Sequence, residues 1–169
     1  NIDRNNLLPK VIDYACGAGH FLTEGYSRIK NGLIECAPEM LECENWEEKV
    51  LFGVEKDYRL ARVSKIELFM HGAGNGNIVF GDGLEEHEDK GVVSNTFDIL
   101  VANPPYSVEA FKPHLKVKDD EFKILKYISN DGSEIETLFV ERISQLLKPN
   151  AVAAVILPDS IVRKDMYRS

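Results

Sequence analysis

Apolar residues fall into short unbroken runs, and between those runs they recur every three or four positions. That pattern predicts strands alternating with helices. Residues 10–22 read as a strand, a turn of small residues and a helix start. Residues 49–57 form a second run ending in acids, residues 77–80 a third, residues 97–102 a fourth, and residues 151–157 a fifth. Ile99 to Ala102 suit a strand buried on both faces, and Asp98 stands near its start. Leu60, Val63, Ile66, Leu68, Phe69 and Met70 carry helical spacing, which predicts a buried face with Phe69 and Met70 in the core. Asp57 stands where that helix needs a cap, and His71 where its C-terminal dipole favours a histidine. Residues 33–49 are glutamate-rich, with Leu33, Ile34, Met40, Leu41 and Trp46 loosely spaced, and predict a solvated connecting helix. Ser133-Glu134-Ile135-Glu136 is a capping box that opens a helix with Leu138, Phe139, Ile143, Leu146 and Leu147 on its buried side. Lys148-Pro149-Asn150 is expected to stop it, and Pro158-Asp159-Ser160 to start another turn. Residues 85–95 read as a charged loop or short helix, and residues 107–132, without a period, as a mobile loop.

Continuous apolar strands alternating with helices imply an α/β fold with a doubly wound, mostly parallel sheet covered on both faces. Ligands of such folds gather at the carboxyl ends of the strands. Gly17 and Gly19, Glu55, Asp82 and Asn103 all fall at strand ends, and this coincidence says more than any one motif. Gly17 and Gly19 let backbone approach a ligand, and the following helix start offers free N–H groups. The turn lacks the third glycine of a dinucleotide fingerprint and the Gly-Lys-Ser/Thr of a Walker loop. Glu55 at the second strand tip is placed to accept from ribose hydroxyls. Asp82 is a carboxylate held between two glycines in Gly81-Asp82-Gly83-Leu84. Asn103-Pro104-Pro105-Tyr106 ends the fourth strand: the prolines forbid its continuation, hold Asn103 extended, and leave Tyr106 as a flat aromatic face.

Charge sharpens the picture because it is uneven. Residues 1–100 carry 10 Lys/Arg against 18 Asp/Glu, and residues 101–169 carry 10 against 10. Phosphate neutralisation by Lys and Arg supplies most non-specific affinity for nucleic acid, so this chain is a poor stand-alone DNA grip. The 169 residues suit one domain of ordinary soluble composition. No apolar run nears the roughly 20 residues of a membrane span and no signal-peptide pattern opens the chain, so a cytoplasmic protein is expected. Three cysteines without CxxC pairing fit reduced thiols, and Cys36 and Cys43 lack a nearby histidine, so no metal is expected.

Together these motifs resemble the S-adenosylmethionine-dependent N6-adenine DNA methyltransferases, particularly the modification subunits of type I restriction systems and related fused restriction-modification enzymes. The family's Asp-Pro-Ala-Cys-Gly-Ser-Gly-Gly-Phe-Leu stands here as Asp-Tyr-Ala-Cys-Gly-Ala-Gly-His-Phe-Leu at residues 13–22. The resemblance implies a Rossmann-like class I methyltransferase fold and S-adenosylmethionine as cofactor. Asp13, Ala15, Cys16, Gly17, Gly19, Phe21 and Leu22 would then surround its methionine part. Glu55, with Lys56 beside it, would hold the ribose. Asp82, with Gly83 and Leu84, would accept from the cofactor's adenine amine. Asn103, Pro104, Pro105 and Tyr106 match the catalytic motif outright, and residues 136–149 resemble the helix before the Leu-Lys-Pro element. Tyr14, Ala18, His20 and Asn150 depart from the usual proline, serine, glycine and glycine. The resemblance also implies that residues 1–169 are a partial catalytic domain truncated after about five strands. DNA recognition and specificity or restriction subunits would lie elsewhere, DNA binding by this piece alone would be weak, and its fifth strand would be an apolar edge. Two other readings compete. One is methylation of a protein glutamine amide or an RNA guanine amine, since the same tetrad serves any planar amine. The other is a non-catalytic cofactor-binding scaffold.

Overall fold

The computed structural model describes residues 8–74, 76–106, 108, 112–117, 120–128, 135–159 and 161. Strands β1 (Val11–Asp13), β2 (Leu51–Glu55), β3 (Asn77–Phe80), β4 (Phe97–Ala102) and β5 (Leu147–Val155) form one sheet in the order β3-β2-β1-β4-β5. Every neighbouring pair is parallel. The chain steps outward from β1 to β3 and then returns to lay β4 on the other side of β1. Strand order therefore reverses at β1 and β4, where a crevice opens at the carboxyl edge.

Successive strand residues face opposite sides of the sheet, and each side has its own core. Ile12, Phe52, Val54 and Leu100 face one way and pack with Leu138, Phe139 and Leu146 of helix α4 (Ile135–Leu146). Val11 and Leu51 face the other way, against Leu22, Tyr26 and Leu33 of helix α1 (His20–Cys36). The short helix α2 (Trp46–Val50) adds Trp46, whose ring stacks on Tyr26 at 5.7 Å. Helix α3 (Tyr58–Met70) lies on this second side and is capped by Asp57, which accepts from the N–H groups of Arg59 and Leu60.

Several sequence expectations need correction. Residues 33–49 are not one connecting helix: α1 runs to Cys36, Pro38 opens a 3₁₀ turn to Glu42, and α2 follows. Leu33, Met40 and Trp46 are buried, whereas Ile34 is exposed. On α3 the buried residues are Ala61, Ser64 and Leu68; Phe69 and Met70 are not core, and Leu60, Val63 and Ile66 also face outward. The strand β4 is not closed on both faces, since Ile99 and Val101 are only half-buried. Residues 148–150 do not end a helix; they lie inside β5, whose register shifts between Phe97 and Ile99 of its neighbour. Pro149 is tolerated there because it falls in the irregular stretch between Leu147 and Val152, where the pairing with β4 shifts register. The edge is apolar as expected, with Val152 exposed.

Among the described residues of the 107–132 segment, Phe122 and Ile128 are buried in the core, so this stretch is anchored. Ser133 and Glu134 of the expected capping box lie outside the described residues, and α4 is described from Ile135. Among the described residues no helix is long and apolar enough to cross a membrane.

Candidate functional site

The strand tips converge as their positions in the sequence imply. Asp13 ends β1 fully buried, and its Oδ1 accepts the Ala15 N–H at 3.0 Å. Burial pushes its carboxyl up to about 7; the Ala15 N–H opposes the rise and the nearby Glu55 charge adds to it. The turn after Asp13 passes Cys16, a buried thiol whose Sγ lies 3.6 Å from Ser64 Oγ and which burial pushes up to about 12. That thiol is a packing group rather than a nucleophile. At Gly19, the N-cap of α1, φ is 91°, and a Cβ would fall 2.5 Å from Ser64 Oγ. Only glycine fits between the two helices.

Glu55 ends β2 and binds backbone with both oxygens: Oε2 accepts from the Gly17 N–H at 2.8 Å and Oε1 from the Asp57 N–H at 2.7 Å. The turn at β1 and the tip of β2 are thereby fastened together. Asp82 follows β3. Its Oδ1 accepts the Leu84 N–H at 3.1 Å, and its Oδ2 pairs with Lys56 Nζ at 2.6 Å. Gly83 lies so close to the β1 turn that a Cβ there would sit 1.9 Å from the Tyr14 carbonyl oxygen. Backbone thus meets backbone at the floor of the crevice.

Asn103 and Tyr106 are exposed beyond β4, and the Tyr106 hydroxyl donates to Asn103 Oδ1. Pro104 is buried and Pro105 exposed, so the turn is anchored on one proline. Two clefts open here. One, of about 670 Å³, is bounded by Glu55, Lys56 and Asp82 on its polar side and by Tyr14, Ile135 and Phe139 on its apolar side. The other, of about 290 Å³, is bounded by Asp13, Cys16, His20 and Phe21. Ala15, Gly17 and Asn103 border both, so the clefts adjoin along a seam at the β1 and β4 tips. Leu22 and Leu84 are fully buried and border neither; Leu84 contributes through its N–H to Asp82.

Sequence reasoning missed the apolar wall. Tyr14 is 1% exposed, donates its hydroxyl to the Phe139 carbonyl at 3.1 Å, and sets its ring 5.1 Å from that of Phe139. Ile135 and Phe139 are one helical turn apart, so a shared face was legible. Their reach to the crevice depends on where α4 docks, which local pattern does not encode.

A crevice with two carboxylates on backbone amides, an apolar slot and a carboxamide at its seam suits a polar, partly aromatic ligand beside a planar amine. Comparison with known proteins gives the family. The N-6 DNA Methylase family model matches residues 4–167. The type II restriction enzyme and methyltransferase RM.Eco57I of Escherichia coli is 25% identical over 203 residues, covering 92% of this chain and 20% of that protein. The type I restriction enzyme MjaIX methylase subunit of Methanocaldococcus jannaschii is 28% identical over 111 residues, covering 66% of this chain and 17% of that one. The solved M protein of the type I restriction enzyme EcoKI aligns with a TM-score of 0.64 at 21% identity, covering 90% of this chain and 30% of its own. The chain thus spans a third or less of each of these proteins, and the family model matches nearly all of its own length: it belongs to the N-6 DNA Methylase family.

Proposed function

We propose that residues 1–169 form the cofactor-binding and catalytic core of a cytoplasmic restriction-modification methyltransferase that methylates the N6 amine of adenine in DNA. The observation that carries the reading is the position of Asn103, which borders both clefts at once. A ligand with a nucleoside at one end and an amino acid at the other fits two adjoining clefts, with its middle at their seam. S-adenosylmethionine has that form, and when bound it supplies an activated methyl group. Glu55 and Asp82 would hold the ribose and adenine end, with Lys56 moving off Asp82 Oδ2. Gly83 packs directly on the Tyr14 carbonyl, so the floor beneath the adenine end is closed by backbone. Asp13, Ala15, Cys16, Gly17, Gly19 and Phe21 would surround the amino-acid end.

Adenine's amine is a weak nucleophile because its lone pair is delocalised into the ring. Asn103 Oδ1 and the Pro104 carbonyl accept its two hydrogens, which favours a tetrahedral nitrogen with a free lone pair. Catalysis is then positioning and electrostatics, without a strong base. The target base must leave the duplex, since its amine is otherwise paired. Tyr106 releases Asn103 and stacks on that base, a contact of roughly 1–3 kcal/mol. Net charge of −8 leaves DNA grip to other parts of the parent protein or to specificity and restriction subunits.

Calorimetric titration with S-adenosylmethionine tests the cofactor half: binding by the wild type, weakened about thirtyfold by Asp82→Ala, is expected. Radiolabelled methyl transfer by the full-length parent tests the substrate half. Label in adenine of duplex DNA, lost in Asn103→Ala, is expected; label only in a glutamine peptide or in RNA guanine would overturn the DNA assignment.

A further inference from the structure

Helix α3 is amphipathic in the reverse of the expected sense. The side it turns to the sheet carries small residues, Ala61 and Ser64, with Leu68 as the only large one. Its outer side carries Leu60 at 42% exposure, Val63 at 45%, Ile66 at 56%, Phe69 at 67% and Met70 at 77%. Val63, Ile66 and Met70 follow the spacing i, i+3, i+7 and form one row along the helix. At the start of α3 Tyr58 and Phe80 are also more than half exposed, with ring centroids 5.4 Å apart. A helix of 13 residues is roughly 20 Å long, so this is a stripe rather than a scatter of single apolar residues. Contiguous apolar surface on that scale marks an interaction site.

Charge identifies the occupant. Arg62 and Lys65 are exposed along the stripe, Arg59 is paired with the capping Asp57 at 3.4 Å, and the only acid on α3, Glu67, lies 3.2 Å from His71. Arg62 rests over the Tyr58 ring at 5.7 Å. A chain of net charge −8 thus carries a basic rim around its apolar stripe. A second copy meeting the same face symmetrically would set arginines against arginines. DNA would satisfy the cations and leave five apolar side chains against phosphate and water.

We propose that the outer face of α3 is a docking groove for an acidic amphipathic helix of a partner protein. Apolar residues of the incoming helix pack on Val63, Ile66 and Met70, and its flanking carboxylates meet Arg62 and Lys65. Val63, Ile66 and Met70 border neither cleft, and the proposal does not depend on the methyltransferase reading.

The probe is a fluorescein-labelled 18-residue helix with Leu at one i, i+3, i+7 face and Glu on its flanks. Two controls carry Lys for Glu or a scrambled order. Anisotropy titration of the whole chain should show saturable binding of the Glu helix, weakened by salt, at least about tenfold tighter than either control. Ile66→Asp lies on the exposed face and leaves the fold intact by circular dichroism; it should weaken binding at least about tenfold, and Arg62→Glu several-fold. Equal binding of all three peptides, no binding, or indifference to Ile66→Asp would overturn the proposal. So would displacement of the peptide by duplex DNA, or sedimentation showing that the face is consumed by self-association that Ile66→Asp abolishes.

Discussion

The crevice has two halves built on different principles. On the β1, β2 and β3 side, Asp13, Glu55 and Asp82 each accept from a backbone N–H, and Glu55 from two. On the β4 side, Asn103 and Tyr106 are exposed and engage each other through their side chains. Backbone amides cannot move without moving the fold, whereas a side-chain contact between exposed groups is exchanged at little cost. On the proposed function, the half assigned to the cofactor is preformed, and the half assigned to the substrate is held by a contact that a substrate amine would replace. Four predictions test that division.

The largest effect is expected at the floor. Gly83→Val places carbon against the Tyr14 carbonyl, where backbone must shift, and should cost about 4 kcal/mol or more of stability by urea denaturation. An unaltered midpoint would show that this floor is not rigid.

Next is a pH effect from Asp13. Its carboxyl is raised from 3.8 to about 7, so the folded chain holds a proton that the unfolded chain releases. This contribution is fully present below about pH 4 and is lost as pH rises through about 7. Between about pH 5 and 8 the wild type should lose roughly 3 kcal/mol relative to Asp13→Asn, whose neutral amide cannot ionise. Parallel stability curves for the two proteins would remove Asp13 from the account.

Smaller still is the loss of one cofactor contact. Asp82→Ala should weaken S-adenosylmethionine about thirtyfold, near 2 kcal/mol, with stability little changed because Asp82 is partly exposed. The smallest effect separates the halves most cleanly. Tyr106→Ala in the full-length parent should lower turnover on duplex DNA about tenfold, as one stacking contact requires, and leave cofactor affinity untouched. A change in cofactor affinity there would mean the two halves are coupled.

Most of the crevice was legible in the sequence because strand ends are. A buried parallel strand reads as an apolar run, and whatever follows it must lie at the sheet edge; Glu55, Asp82 and Asn103 were located by that reasoning alone. The face of α3 was not. Leu60, Val63 and Ile66 have true helical spacing, and spacing reports that one side is apolar without reporting which side meets the sheet. The close approach of α1 at Gly19 decides it, since only a small residue such as Ser64 fits beneath. The start of β5 was misread for a related reason: Pro149 stops a helix or a regular strand, but the register shift it falls in is a property of the pairing with β4.

The pairing of β1 with β4 also has a kinetic meaning. Val11 is in register with Ile99 and Ile12 with Leu100, so closing this seam joins residues 88 apart. Long-range closure is slow compared with forming the local β2 and β3 units. During synthesis the carboxylates at residues 13, 55 and 82 emerge first and wait. The seam that unites them with Asn103 comes into being only when β4 has left the ribosome and inserted beside β1, and the apolar wall of the crevice follows with α4.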